Sequence, residues 1–264
     1  LDLELSQLII IAIAGILTGI INTLAGSGSL ITLPIFIFLC GLDAQVANGT
    51  NRVGVLVQTI VAIFTFRKHG NLPLKGVGWL LLAIVPGAIL GAWLSTQLSN
   101  DALYQAIGFL MVFMLFIIFL KPKRWLKPSG ASVQNNKKPL TLAVFFIIGV
   151  YGGFIQAGVG IFLIAGLVLM TNYDLVKGNG VKLLLVAVFS IPALLYFQSQ
   201  GLIHWEYGLI MAAAQAIGAY IGAIFANRFP KANVYIRYLL ILIVIASASK
   251  FFGIYDWILS FLSS

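Results

Sequence analysis

Long apolar runs alternate with short polar punctuation along the chain, and the runs come in two lengths. Long ones fall at about 6–24, 45–66, 76–97, 102–120, 140–156, 182–199, 205–226 and 234–253, and short ones at 30–41 and 161–171. A helix needs about 20 apolar residues to cross the ~30 Å hydrocarbon core. The pattern therefore predicts an all-α polytopic membrane protein with about 8 to 10 transmembrane or half-membrane helices. The two short runs are too short to cross as straight helices, and each follows a glycine-rich break, LAGSGS at 24–29 and QAGVG at 156–160. These read as broken helices, whose freed backbone groups must be buried in protein or line a watery cavity. Whether they span or re-enter is open at this level.

The ten runs divide into two fives, separated by the one hydrophilic stretch, Lys121 to Pro139, with three prolines, six basic residues and no acid. The chain then reads as a first repeat over 1–120, a basic linker over 121–139 and a second repeat over 140–264. Asp43, Asn48, Gly49, Ala62, Phe66, Gly70, Gly87, Ala88, Gly91 and Ala92 recur 131 residues later as Asp174, Asn179, Gly180, Ala193, Phe197, Gly201, Gly218, Ala219, Gly222 and Ala223. Upstream, after a small length difference, Gly15 and Gly19 align with Gly149 and Gly153, and AGSG at 25–28 with AGVG at 157–160. A constant offset through PGAILGA and IGAYIGA points to duplication.

Composition agrees. Of 264 residues, 61% are apolar and 9% charged, against roughly 45–50% and 25% in a soluble domain. No soluble fold of this size has the interior to hide so much apolar surface, and the helices leave no room for a soluble catalytic domain. The net charge of +9 raises nucleic acid as a partner, but the basic residues lie between apolar segments, so none is expected. A single cysteine, Cys40, allows no intramolecular disulfide and no thiolate metal site; no metal or cofactor is expected. The start of the chain has no positive n-region or cleavage site, so no removable signal peptide is expected.

Charge also orients the chain. One side gathers Arg67 to Lys75, the linker, the stretch around Lys177 and Lys182, and Arg228 to Arg237, which together hold 14 of the 16 basic residues. By the positive-inside rule that side is the cytoplasm. Asp2, Glu4, Asp43, Asp101, Glu206 and Asp256 then lie on the opposite side, and both termini are extracytoplasmic in the cytoplasmic membrane. The halves run in opposite directions whether each short segment crosses or returns. Inverted repeats with discontinuous helices near the midplane are a common build of secondary transporters. Trp79, Trp125, Trp205 and Trp257 fall near the expected interfaces.

Two constellations could carry chemistry. The first is the pair of breaks, where Gly26, Ser27, Gly28, Gly158 and Gly160 open short helices beside Asn22, Ser29 and Gln156. Exposed N–H groups at the positive end of a helix favour an oxyanion or carboxylate; the alternative is close packing of crossing helices through small residues. The second is Asn48-Gly49-Thr50-Asn51-Arg52 with its counterpart Asn179-Gly180-Val181-Lys182, each opening a long apolar helix. A cation there has the wrong sign for a helix N-terminus and is costly in the membrane. A substrate anion would relieve it; the alternative is that Arg52 and Lys182 snorkel to headgroups. Asp43 and Asp174 precede these motifs and either cap the helices or, if desolvated, take up a coupling proton.

An intramembrane hydrolase is the answer from another class. Gly26-Ser27-Gly28 weakly resembles the serine motif of rhomboid-type proteases, which needs a histidine to activate the nucleophile. No histidine lies within an apolar run: His69 sits in a basic loop and His204 beside Trp205.

The residues resemble those of the sulfite exporter TauE/SafE family of membrane transporters, across essentially the whole chain. The first-half family motif looks like Ala25-Gly26-Ser27-Gly28-Ser29 with Pro34, then Gly41-Leu42, then Ala47-Asn48-Gly49-Thr50-Asn51. The second-half motif looks like Gly149-Val150-Tyr151-Gly152-Gly153-Phe154 with Gly158 and Gly160. Ser29 departs from the family's second glycine, and Gly180-Val181-Lys182 from its second polar triplet. The resemblance implies sulfite, an organosulfonate or another sulfur oxyanion as cargo.

The combined expectation is a non-enzymatic secondary transporter whose partners are a small anion and the bilayer, with a homo-oligomer left open. Backbone N–H groups after Gly26, Gly28, Gly158 and Gly160 cradle the anion, Asn48, Thr50, Asn51 and Asn179 hydrogen-bond it, and Arg52 or Lys182 neutralises it. Export is the simpler direction, because an outward-moving negative charge gains about 2.3 kcal/mol per 100 mV. An anion channel and uptake of another small oxyanion or carboxylate are the alternatives.

Overall fold

The computed structural model describes residues 5–119, 137–228, 244–245 and 247–252, and among them no strand occurs. The helices are α1 (Leu5–Ala25), α2 (Ser29–Pro34), α3 (Ala44–Lys68), α4 (Val77–Gln97), α5 (Asn100–Phe119), α6 (Pro139–Phe154), α7 (Val159–Thr171), α8 (Leu175–Ser199) and α9 (Trp205–Arg228). Six of these, all but α2, α6 and α7, are long and apolar enough to cross a membrane, so the protein is multi-pass. Of the tenth expected run only 244–245 and 247–252 are described, helical as far as Phe251. Of the linker only Lys137 to Pro139 is described, and Trp125 and Trp257 lie outside the described residues.

Both breaks fall where the glycines put them. Two boundaries differ from the apolar pattern, each for a local reason. The short first-half run is not uniform α-helix: Pro34 has no N–H to give, and past it Ile35–Leu39 forms a π-helical turn in which the Cys40 N–H reaches the Ile35 carbonyl. Helix α8 begins seven residues before its apolar run, because its first two turns carry Lys177, Asn179 and Lys182, and Asp174 caps it by accepting from the Lys177 N–H at 2.8 Å.

The helices pack in the order α1, α9, α3, α8, α4, α6, each against the next. Exchange the equivalents α1 with α6, α9 with α4 and α3 with α8, and this order reads the same backwards. That is the packing expected of two halves related by a two-fold axis passing between α3 and α8. The short helices obey it too, with α2 against α1 and α3, and α7 against α6 and α8.

Small residues permit this arrangement. A Cβ on Gly153 would lie 2.0 Å from the Ala88 carbonyl oxygen, and one on Gly19 2.2 Å from that of Gln215. The repeated glycines at 15, 19, 149 and 153 therefore bring α1 onto α9 and α6 onto α4 at backbone contact, as small residues do between membrane helices. On the outside, Trp79, Leu82, Phe64, Phe109 and Phe116 are exposed, an apolar surface that suits lipid.

Candidate functional site

The two breaks cross each other at the centre of the bundle. Gly26 and Gly158, equivalent in the repeat, both take left-handed φ of 75° and 71°, a conformation that side chains resist. The Gly160 N–H donates to the Gly26 carbonyl at 3.0 Å, and a Cβ on either Gly26 or Gly160 would lie within 2.4 Å of the other's Cα. These glycines are a packing contact, and that contact lines a cavity.

At each break the final carbonyls of the interrupted helix lose their partners. The opposite half supplies replacements. The Asn48 amide donates to the Phe154 carbonyl at 2.7 Å, and its repeat partner Asn179 donates to the Thr23 carbonyl at 2.9 Å. Cations complete the set. Arg52, 0% exposed, donates to the Gly152 carbonyl at 3.2 Å and to the Gly153 carbonyl, with its guanidinium 4.5 Å from the Phe197 ring centre. Lys182, 1% exposed, donates to the Asn22 and Thr23 carbonyls at 3.2 and 3.1 Å. Each cation stands at the wrong end of its own helix but at the right end, the negative C-terminus, of the broken helix facing it. Neither snorkels, so Lys182 drops out of the surface charge.

The asparagines support a direct test. Asn48→Ala or Asn179→Ala leaves a buried carbonyl without a partner, and each should cost about 1–3 kcal/mol, read as a lower melting temperature of the purified protein. An unchanged melting temperature for both would show that the break carbonyls find their partners elsewhere.

A cavity of about 10 Å³, room for one water molecule, lies between the breaks. Five of the fifteen expected ligand residues line it: Asn22, Gly26, Gln156, Gly160 and Lys182. Ser29, Thr59, Val55 and Val186 complete most of the wall, and the last two are repeat equivalents, so both halves build it. The N-terminal turn of α7, at Val159 and Gly160, also faces it. Gln156 holds a left-handed φ of 65° without being glycine. Strain of this kind persists where the surroundings over-determine it; here its amide donates to the Ser190 hydroxyl at 2.8 Å, while its carbonyl oxygen is buried and unpaired.

The remaining expected ligands stand elsewhere. The Asn51 amide donates to the Ser29 hydroxyl at 3.0 Å and its oxygen accepts from Thr32, so it fastens α2 to α3. The Thr50 hydroxyl accepts from the His204 N–H at 2.9 Å. Gly49 and Gly180 admit the loops that follow α8 and α3, each with a loop carbonyl, of Leu202 or Asn71, within 2.3 Å of where a Cβ would sit. The Gly28 N–H already binds the Asn22 side chain at 3.2 Å. Of the N–H groups that follow the four glycines, those of Val159 and Ile161 donate to the Gln156 and Gly158 carbonyls at 3.2 and 3.0 Å. Ser27 is buried with an unpaired hydroxyl, away from the cavity wall.

Neither aspartate is buried. Asp174 is a half-exposed cap paired with Lys177 at 3.6 Å, and Asp43 is exposed and accepts from Asn100 at 2.9 Å. Sequence reading missed Thr59 and Ser190, which repeat as a hydroxyl pair at the 131-residue offset, and it missed two buried glutamines, Gln58 and Gln215. Each glutamine interrupts an apolar stretch, VGVLVQTIVAIF or GLIMAAAQAIGA, the one signal that marked it.

Comparison with known proteins gives a consistent set of relatives. A family model described as sulfite exporter TauE/SafE matches residues 11–251. The chain is 28% identical over 252 residues to "Probable membrane transporter protein ORF9" of a Sinorhizobium species, covering 94% of each. It is 27% identical to "Probable membrane transporter protein YfcA" of Escherichia coli K12, over 78% of this chain and 76% of that one. With "Probable membrane transporter protein YdhB" of Bacillus subtilis it shares 25% identity over 85% and 91%. No solved structure matches the chain.

Proposed function

The chain belongs to the sulfite exporter TauE/SafE family and is a membrane transporter, and from that premise we propose that it moves a small sulfur oxyanion, sulfite or an organosulfonate, out of the cell through the cavity between the crossed breaks. One observation carries this reading. Two cations, Arg52 and Lys182, are buried in the bundle, and among the described residues no aspartate or glutamate is buried with them. Backbone carbonyls stabilise a cation but leave its charge standing, and a net positive interior in a low-dielectric medium favours an anion.

The two cations divide the work. Both terminal nitrogens of Arg52 are held by carbonyls and its face by Phe197, and it does not line the cavity; it is a structural staple. Lys182 lines the cavity, and carbonyls take two of the three protons an ammonium offers. The third is directed to cargo. Asn22, Ser29, Thr59 and Gln156 supply neutral hydrogen bonds around it, and the positive end of α7 adds to the field.

The cavity as formed is too small for any oxyanion, so cargo enters when one half rocks against the other about the Gly26–Gly160 contact. The protein sits in the cytoplasmic membrane with the basic loops inside and both termini outside. In that orientation an outward-moving monoanion gains about 2.3 kcal/mol per 100 mV of inside-negative potential, and no coupling ion is needed.

Flux into proteoliposomes of sulfite, sulfate, thiosulfate, a short organosulfonate and acetate, under an imposed potential, tests the reading. Saturable, potential-sensitive flux of one sulfur oxyanion, with counterflow, is expected. Flux that neither saturates nor shows counterflow would make the protein a channel, and flux of acetate alone would reject sulfur as the selected element.

A further inference from the structure

We propose that the junction of α1, α3 and α9, at Thr18, Gln58 and Gln215, is a second hydrogen-bonding station for the anion, on the route between the cavity and one face of the membrane. The three side chains are 0%, 1% and 0% exposed. Neither amide atom of Gln58 or Gln215 has a hydrogen-bond partner, nor does the Thr18 hydroxyl. Gly54, one turn before Gln58 on the same face of α3, makes the space that the Gln215 amide occupies: a Cβ there would lie 2.5 Å from its oxygen. The station adjoins the cavity through α1, because Thr18 and Asn22, one turn apart, both lie within 2.8 Å of where a Gly28 Cβ would sit, and Asn22 lines the wall.

The duplicated fold contains its own control. Under the repeat, Gln58 corresponds to Phe189, Gln215 to Ile84 and Thr18 to Gly152. At the equivalent junction of α6, α8 and α4 these residues form dry core: Phe189 and Ile84 are 0% exposed and share one apolar cluster, and a Phe189 ring atom lies 3.0 Å from where a Gly152 Cβ would be. The architecture therefore fills this position well with apolar side chains and has no structural need for amides. Buried amides without partners are unfavourable in any apolar medium. Three unpartnered side chains, two amides and a hydroxyl, at only one of the two equivalent junctions, correspond to something polar that enters from that side. The amide N–H groups and the threonine hydroxyl suit the oxygens of an oxyanion. Being neutral, they bind it weakly enough to let it pass on to Lys182, the balance that conduction through successive sites requires.

This inference rests on the transport reading above, so its test needs no transported substrate. In a Cys40→Ser background, which removes the one cysteine, Gln58→Cys and Phe189→Cys are exposed in proteoliposomes to (2-sulfonatoethyl) methanethiosulfonate, itself a small sulfonate anion. Gln58→Cys should react at least tenfold faster than Phe189→Cys. The pair Gln215→Cys and Ile84→Cys should repeat the difference, which covers the case of a Phe189→Cys protein that does not fold. Equal rates across the equivalent pairs, or no reaction at either glutamine position, would overturn the proposal. So would a Gln58→Leu, Gln215→Leu double variant that melts well below the parent, since that would give the amides a role in the fold. If labelling follows expectation while every sulfur oxyanion fails to move, the cargo assignment falls and the station stands.

Discussion

Replacing Lys182 by methionine should abolish saturable anion flux while leaving a folded, inserted protein. Methionine keeps the unbranched apolar stem to within one atom of its length and removes the ammonium with its charge and its three protons. At an effective dielectric of about 20, an ammonium 4 Å from an anion contributes about 4 kcal/mol. Part of that is offset by the carbonyls that already share it, so a loss of transport on the order of 100-fold or more is expected (about 1.4 kcal/mol per factor of ten). Stability should change little, because a buried cation without a counter-ion is itself costly and its removal offsets the two hydrogen bonds lost from the Asn22 and Thr23 carbonyls. Arg52→Met should do the reverse. It strips two carbonyls of α6 and the face of Phe197 at a position off the cavity, so it should lower the melting temperature more than Lys182→Met does. Flux per folded molecule should fall less. If the two variants behave alike, or if Arg52→Met is the one that stops transport in a well-folded protein, the division between staple and ligand is wrong.

That division was not legible in the sequence, and the reason is geometric. A motif shows which residues are neighbours in one helix, whereas the partners here come from the other half of the chain. Arg52 and Lys182 both look like anion ligands as long as each is seen at the start of its own helix, where its sign is wrong. Seen at the end of the opposing broken helix, each already has carbonyls to satisfy. The same crossing explains Asn48 and Asn179, which read as substrate ligands and turn out to cap Phe154 and Thr23 across 106 and 156 residues of sequence. By contrast, the breaks, the order of helices and the two-fold relation were all legible, because they depend on hydropathy, on glycines within a few residues, and on a constant offset. Even the apolar run at 182–199 misjudged only where α8 starts, since hydropathy cannot see two turns of helix in which Lys177, Asn179 and two glycines break the apolar pattern.

The glycine contact at the centre gives the largest effect on the fold. Gly160→Ala would place a methyl group 2.3 Å from the Gly26 Cα and 2.7 Å from its carbonyl oxygen. Both are backbone, in a segment fixed by the Gly160 N–H to Gly26 carbonyl hydrogen bond and by the Gly26 N–H on the Asn22 carbonyl, so neither can swing aside as a side chain would. Overpacking of this kind costs about 1–3 kcal/mol where side chains can yield, and more where they cannot. Gly26→Ala adds the left-handed penalty of about 1–2 kcal/mol to the same clash. Both variants should therefore be recovered poorly and melt far below the parent. Gly41→Ala is the control, for Gly41 also has a left-handed φ, 65°, but nothing lies near its missing Cβ. It should show the conformational penalty alone. A Gly160→Ala protein that melts like the parent would mean that the breaks do not touch, and the cavity, whose wall includes both glycines, would lose its closed form with them.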